Sequence, residues 1–278
     1  MQPKTFLINL DKDVLRLRRM ERILAAAGLE YERFSALARA DVPEKLCPFF
    51  MDENGKAHNE HLLDGEIGCY ASHLSIMTRF VADLSIQSPI LVLEDDLRLT
   101  ENFPRIVSLV AEHMRKDRAI EHVHLTGKPR CCWCKYLPLD ETHALIRACK
   151  PVVGTGAYLL TRRGAKKFLD YTPKRCRPID QDLRRVWENG ISSGMIMPRI
   201  AHQISEVSDD SSVDVNRDRH TAARLKVPCN PYGYSNLKRL MWLVDEFGIV
   251  FAAHCIVKYI YYLLYRKLTG KDLPSELY

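Results

Sequence analysis

The chain has 278 residues, 46% of them apolar and 27% charged, and a formal net charge of +6. That length buries a core large enough for one α/β domain with an appendage, and mixed charge on an apolar background excludes a disordered tail protein. Lys and Arg are spread along the chain rather than gathered in one arm, which argues against a nucleic-acid partner and favours an anionic substrate or an anionic membrane face.

Thr5 to Leu10 reads as a buried strand. It is too short, and too soon followed by charge, for a secretory hydrophobic segment, so a cytoplasmic protein with reduced thiols is expected. Val14, Leu17, Leu24 and Ala27 then recur at helical spacing, with Asp11 or Asp13 as cap and Gly28 as stop. Tyr31 to Ala36 predicts a second strand, and the polar stretch from Arg39 to Asp64, with Pro43, Pro48 and Gly55, reads as an irregular insertion. Glu66 to Leu84 places Ile67, Tyr70, Ala71, Leu74, Met77 and Val81 on one side of a helix.

After Pro89, the continuous apolar run Ile90 to Leu93 predicts a strand buried on both faces, as in a mostly parallel sheet. Phe103 to Arg115 and Arg162 to Tyr171 predict helices, the second capped by Thr161, while Ile120 to Leu125 and Ala157 to Thr161 predict strands. This alternation is the pattern of a helix-covered sheet. One more helix is expected from Pro178 to Asn189-Gly190 and a last strand from Gly194 to Ile200. Glu206 to Thr221 lacks apolar anchors and reads as a mobile loop. The stretch Ile249 to Tyr265 is apolar and aromatic but carries His254 and Lys258, too polar for a membrane span; it suits an interfacial helix, or a helix packed on the domain or another chain.

Nine cysteines are an odd number for a disulfide framework. Cys131-Cys132-Trp133-Cys134, with Cys149 and Cys176, invites a zinc reading, but no second C-x-x-C or paired His completes a tetrahedral set, so buried thiols are expected.

Glu94-Asp95-Asp96 follows the apolar run directly, putting three acids at the carboxyl end of a sheet strand, where open α/β folds collect ligands. Adjacent carboxylates repel, so either solvent or a cation must satisfy them, and hard oxygens select Mg²⁺ or Mn²⁺. Asp180 and Asp182 lie two apart at a helix start, where the dipole favours acids whatever their function. Two residues are about 200° apart on a helix, so one of them is expected to face a cleft. No G-x-G-x-x-G follows the first strand, which argues against a dinucleotide binder.

In order along the chain stand Ile8-Asn9-Leu10 with Arg16 and Met20, Gly65-Glu66-Ile67-Gly68-Cys69-Tyr70-Ala71-Ser72-His73, Leu91-Val92-Leu93-Glu94-Asp95-Asp96, Gly154-Thr155-Gly156-Ala157-Tyr158 with Arg163-Gly164-Ala165, and Pro178-Ile179-Asp180. Together, over roughly Phe6 to Ser211, they resemble glycosyltransferase family 25. The resemblance implies a GT-A type nucleotide-sugar-binding fold and inverting transfer of a hexose, galactose or glucose, from a UDP-sugar to lipooligosaccharide or a related bacterial surface glycan. It further implies a catalytic domain over 1–221 and a C-terminal helical segment over 222–278.

By the same resemblance Glu94 and Asp96 stand at a D-x-D-like motif holding Mn²⁺ or Mg²⁺, with His202 a third ligand. Asn9, Arg16, Ser72, His73 and Asp95 surround the donor, and Asp180 or Asp182 is the base, Asp180 preferred. Asp209 and Asp210 would belong to a loop closing over the site. Placed at the inner face of the cytoplasmic membrane, such an enzyme would touch anionic lipid. The competing expectation is a catalytically silent nucleotide-sugar-binding scaffold.

Overall fold

The structure, a computed structural model, describes residues 2–129, 132–171, 173–204 and 236–269. Asp209, Asp210, the stretch Glu206 to Thr221 and the expected boundary at 221/222 lie outside the described residues.

The chain opens with β1 (Thr5–Asn9), α1 (Val14–Ala26) and β2 (Glu32–Ser35). Gly28, at φ 62°, ends α1: its N–H donates to the Ala25 carbonyl while the Leu29 N–H donates to that of Leu24, a Schellman cap that needs the left-handed backbone glycine supplies. Asp13 stands at the N-cap but makes no side-chain capping bond. The insertion expected to be irregular carries two short 3₁₀ turns and α2 (Cys47–Phe50), and Val42, Leu46 and Phe50 anchor it in the core. Next come α3 (Asp64–Ala82), β3 (Ile90–Glu94), β4 (Leu97–Leu99), α4 (Phe103–Lys116) and β5 (His122–His124).

A hairpin absent from the sequence expectation follows, β6 (Trp133–Pro138) and β7 (Ala144–Ala148). Its turn is held by Asp140, which accepts from the Thr142 and His143 N–H groups at 2.8 and 2.5 Å. Then come β8 (Ala157–Leu160) and α5 (Arg162–Asp170), the latter capped as expected by Thr161 Oγ1 accepting from the Gly164 N–H. The expected single helix after Pro178 is two, α6 (Ile179–Leu183) and α7 (Val186–Asn189). Asn189 Nδ2 donates to the Asp182 and Leu183 carbonyls, which satisfies the break, and Gly190 at φ 69° ends α7. The chain continues with β9 (Ser193–Met197) and β10 (Ala201–Gln203), and the described C-terminal part holds α8 (Asn236–Phe247) and α9 (Ile249–Thr269).

Eight strands form one sheet in the order β2-β1-β3-β8-β5-β9-β7-β6. β1 runs parallel to β2 and β3, β5 runs parallel to β9, and β8 lies antiparallel between β3 and β5. β7 is also reversed, so six strands share one direction against two. The sheet is therefore mixed and mostly parallel, of the α/β class and compatible with the GT-A type. β4 and β10 form a separate two-stranded ribbon.

Strand alternation sorts the side chains onto two faces. Phe6, Ile8, Val92, Tyr158 and Leu160 meet α3 and α5 through Tyr70, Leu74, Met77 and Phe168. Leu7, Leu91, Leu93, Val123 and Leu159 meet α1 and α4 through Met20, Leu24, Ile106 and Val110. At Gly68 of α3 an added Cβ would come within 2.2 Å of the Leu37 carbonyl oxygen, so only glycine lets α3 seat against the chain after β2. α8 and α9 dock at the β6–β7 edge through a small cluster of Cys132, Cys149, Leu243, Ala252 and Cys255.

Candidate active site

β1 and β3 are parallel neighbours with Ile8 opposite Glu94, so the residues that follow both strands emerge on the same rim of the sheet. There a cleft of about 630 Å³ is lined by Asn9, Arg16, His73, Glu94, Asp95 and Asp96. The acids split by alternation. Glu94 Oε1 meets Thr155 Oγ1 at 2.5 Å and His73 Nε2 at 3.3 Å, and Gln203 Nε2 reaches Glu94 Oε2 at 3.4 Å and Asp96 Oδ2 at 3.5 Å. Asp95 turns toward α1, where it accepts from Asn9 Nδ2 at 2.7 Å and faces Arg16 Nη1 at 3.5 Å, and its carbonyl accepts from Arg19 Nη2 at 2.5 Å.

Burial works to raise the Glu94 pKa, but hydrogen bonds from His73 and Thr155 bring it below the ordinary carboxylate value. Asp96 has only the long contact from Gln203 on its Oδ2. Burial, then the charges of Glu94 and Asp95, push it up to about 7, and its Oδ1 is buried with no hydrogen-bond partner. Two carboxylates that ionise together only with difficulty, one with an orphaned oxygen, fit a hard divalent cation. Glu94 and Asp96 would hold it.

Cys69 and His73 also lie with Glu94, their donor atoms all within 4.8 Å of one another. Burial and the charges of Glu94 and Asp180 drive the Cys69 thiol well above its ordinary value, so it stays protonated. His73 is fully buried, with Nδ1 on the Tyr158 hydroxyl at 2.8 Å and Nε2 on Glu94. His73 thus ties Tyr158 to the Glu94 carboxylate.

Several residues expected around the donor have their polar groups bonded within the framework. Asn9 is 1% exposed and its amide is committed, with Nδ2 on Asp95 and the Asp13 carbonyl and Oδ1 accepting from Arg33. Ser72 is also fully buried: its hydroxyl donates to the Gly68 carbonyl and accepts from the Leu37 N–H, which ties α3 to the segment after β2. On β10, His202 and Gln203 take opposite faces. Gln203 reaches the acids, and alternation turns His202 the other way, in register with Arg98. Arg16, by contrast, lines the cleft as expected.

Arg19, Arg33, Thr155, Tyr158 and Gln203 were not singled out from the sequence. Thr155 and Tyr158 stand inside the quoted Gly154–Tyr158 motif, and Gln203 is one residue from His202; for Arg33 the sequence carries no signal, because its partner Asn9 is on the neighbouring strand.

The two acids of α6 part company as helical geometry requires. Asp182 is 0% exposed, accepts from the Tyr70 hydroxyl at 2.8 Å and lies 3.5 Å from Arg177 Nη1, the position of a buried framework carboxylate. Asp180 keeps part of its surface at solvent and lies within the field of Glu94. Burial, reinforced by Glu94 and Glu66, raises it to about 6. A carboxylate poised there is ionised at neutral pH yet basic enough to take a proton.

A sequence profile described as "Glycosyltransferase family 25 (LPS biosynthesis protein)" matches residues 2–183. Among curated relatives, a "Glycosyltransferase 25 family member" of Aedes aegypti is 28% identical over 198 residues, 66% of this chain and 31% of that protein. "Procollagen galactosyltransferase 1-A" of Xenopus laevis is 27% identical over 193 residues, 65% of this chain and 30% of that protein. The chain thus spans under a third of the length of these two relatives. A solved "glycosyltransferase involved in the glycosylation of the major capsid of PBCV-1" aligns over 81% of this chain and 100% of its own, with a TM-score of 0.36 and 9% identity.

Proposed function

The chain belongs to glycosyltransferase family 25, and on that premise we propose that it transfers a hexose, most simply galactose, from a UDP-sugar to a bacterial surface glycan such as lipooligosaccharide, with inversion at the anomeric carbon. The observation that carries the reading is the pair Glu94 and Asp96 in the cleft, joined through Gln203 and with Asp96 Oδ1 buried without a hydrogen-bond partner; Asp180, whose carboxyl pKa burial and Glu94 raise, supports it. Names of relatives that include procollagen galactosyltransferases support galactose as the first sugar to try, and the profile's description supports a lipopolysaccharide acceptor.

Glu94 and Asp96 would hold Mn²⁺ or Mg²⁺, which when bound supplies positive charge to the diphosphate leaving group. Arg16 adds a fixed cation to the same cleft. His73 and Thr155 hold Glu94 ionised and oriented. Asp180 removes the acceptor hydroxyl proton as that oxygen attacks the anomeric carbon from the face opposite UDP; the glycosidic bond to phosphate breaks and its electrons leave on UDP.

The exposed side of α9 supports membrane association. Ile249, Ile256, Ile260 and Leu264 fall on one helical stripe with Val250, Val257, Tyr261 and Leu268 beside it, while Ala252 and Cys255 face the body. Against the sequence expectation, α9 is by length and composition the one described helix long and apolar enough to cross a membrane. We read it as an interfacial helix on anionic lipid, where a glycolipid acceptor would lie. Sedimentation with anionic and with neutral vesicles tests this: Val257→Glu with Ile260→Glu should abolish binding to the anionic ones.

The deciding experiment is UDP release across UDP-galactose, UDP-glucose and their N-acetyl forms, with and without Mn²⁺. Release that requires Mn²⁺ and acceptor supports the enzyme. Donor binding without release under any pairing leaves the silent scaffold as the reading.

A further inference from the structure

We propose that Cys132, Cys149 and Cys255 form a thiolate site for a zinc ion that fastens the C-terminal helices to the outer edge of the sheet. Their three sulfur atoms lie within 4.8 Å of one another, and each residue is buried, at 8, 6 and 7% exposure. In a tetrahedral zinc site, bonds of about 2.3 Å put sulfurs roughly 3.8 Å apart, so small rotamer changes suffice to close the set.

The backbone presets two of the three. Cys132 precedes β6 and Cys149 follows β7, and the Cys149 N–H donates to the Cys132 carbonyl at 3.0 Å, continuing the hairpin ladder. Cys255 comes from α9, far along the chain, on the face it turns to the body beside Ala252. No spacing rule could have joined it to the first two.

The surroundings select the metal. The sulfurs share a cluster with Leu243, Ala252, Trp242, Phe247 and Phe251, and three thiols are the soft donor set that zinc, rather than Mn²⁺ or Mg²⁺, prefers. A divalent ion on three thiolates carries net negative charge; Arg147, two residues before Cys149, lies close by with its guanidinium 5.8 Å from the Phe247 ring centre, and it is already paired with Glu246. On binding, each thiol releases its proton to solvent, and the fourth position is left to water or a further donor. The site adds a cross-link where packing alone is thin, between an edge hairpin and two helices.

The test uses the full chain purified under reducing conditions without chelator. Elemental analysis should find about one zinc per chain, retained in Asp96→Asn, which removes a cleft acid, and lost in Cys149→Ser and in Cys255→Ser. Co²⁺ in place of zinc should give near-ultraviolet thiolate charge-transfer absorption, absent from the Cys255 variant. Because a serine variant could fail to fold, alkylation of the unaltered chain provides a second readout: Cys132, Cys149 and Cys255 should be protected until a chelator is added. Zinc-loaded and dialysed protein that holds no metal, alkylation indifferent to chelator, or a disulfide between any two of the three would each overturn the proposal.

Discussion

Replacing each acid of α6 by its amide should move stability and catalysis in opposite directions. Asp182→Asn weakens a charge-assisted hydrogen bond from the buried Tyr70 hydroxyl and removes the negative partner of Arg177. Arg177 keeps Glu188 at 2.8 Å, which limits the loss. About 1–3 kcal/mol is expected, a fall in Tm of roughly 2–10 °C for a chain of this size. Asp180→Asn should not destabilise. Its pKa, raised from 3.8 to about 6, means the fold resists ionising it. A rise of that size, at about 1.4 kcal/mol for each tenfold change, bounds the relief at about 3 kcal/mol, and solvent access reduces that to on the order of 1 kcal/mol. Its transfer rate, however, should fall by a factor on the order of 10²–10⁴ at unchanged donor affinity. With Asp180 present, the rate should climb with pH through about 6 and level off above it, since the base works only when ionised. Thermal melts, donor titration and pH–rate profiles of both variants provide the measurement. Full transfer in Asp180→Asn, or collapse of transfer in a thermally intact Asp182→Asn, would refute the division of roles.

Asp96→Asn should abolish the response to Mn²⁺ and nearly all transfer, while Asp95→Asn, which loosens only the hold on Asn9 and Arg16, should cost less; Mn²⁺ titrations of UDP release compare them. Gly156→Ala puts a methyl group 3.0–3.1 Å from the Gln203 side chain, so Gln203 should be displaced from Glu94 and Asp96 and Mn²⁺ affinity should drop several-fold with the fold retained, as read by the same titration and circular dichroism. His122 and His124 of β5 are buried and held neutral: burial drives His122 well below its ordinary value and His124 to about 4. Unfolding restores a pKa of about 6.5, so the unfolded chain binds more protons below that pH and stability falls as pH drops from 6.5 toward 4. His124 alone contributes about 3 kcal/mol over that window. Denaturant unfolding at pH 7.5 and 5 should show the loss, and His124→Gln should blunt it.

The period of the apolar residues made β1, α1, α3, β3, α4, β8 and α5 readable, because each buries a continuous run or a regular stripe. The β6–β7 hairpin was not readable, since Trp133-Cys134-Lys135-Tyr136-Leu137-Pro138 is an edge strand that buries little and ends in proline. At the site, the acids could be read from their place after β3, but their supports could not. The hydrogen bonds of Asn9 and Ser72 were not readable, because which way a buried polar side chain spends them depends on strands and loops that meet it only in space. The choice of Gln203 over His202 turned on one step of strand alternation, finer than the uncertainty in where β10 begins.

Because β8 runs against β3, its lead-in rather than its exit arrives at the rim where Glu94 stands, and Thr155 is delivered there by a stretch only six residues past Cys149. The edge that carries the C-terminal helices and the carboxylate in the cleft are therefore linked in series by one short length of chain, with glycines at 154 and 156 as its joints. A displacement of β7 would have only those few residues to cross before reaching the Thr155 hydrogen bond on Glu94, so the helix-bearing edge and the cleft share a short covalent path.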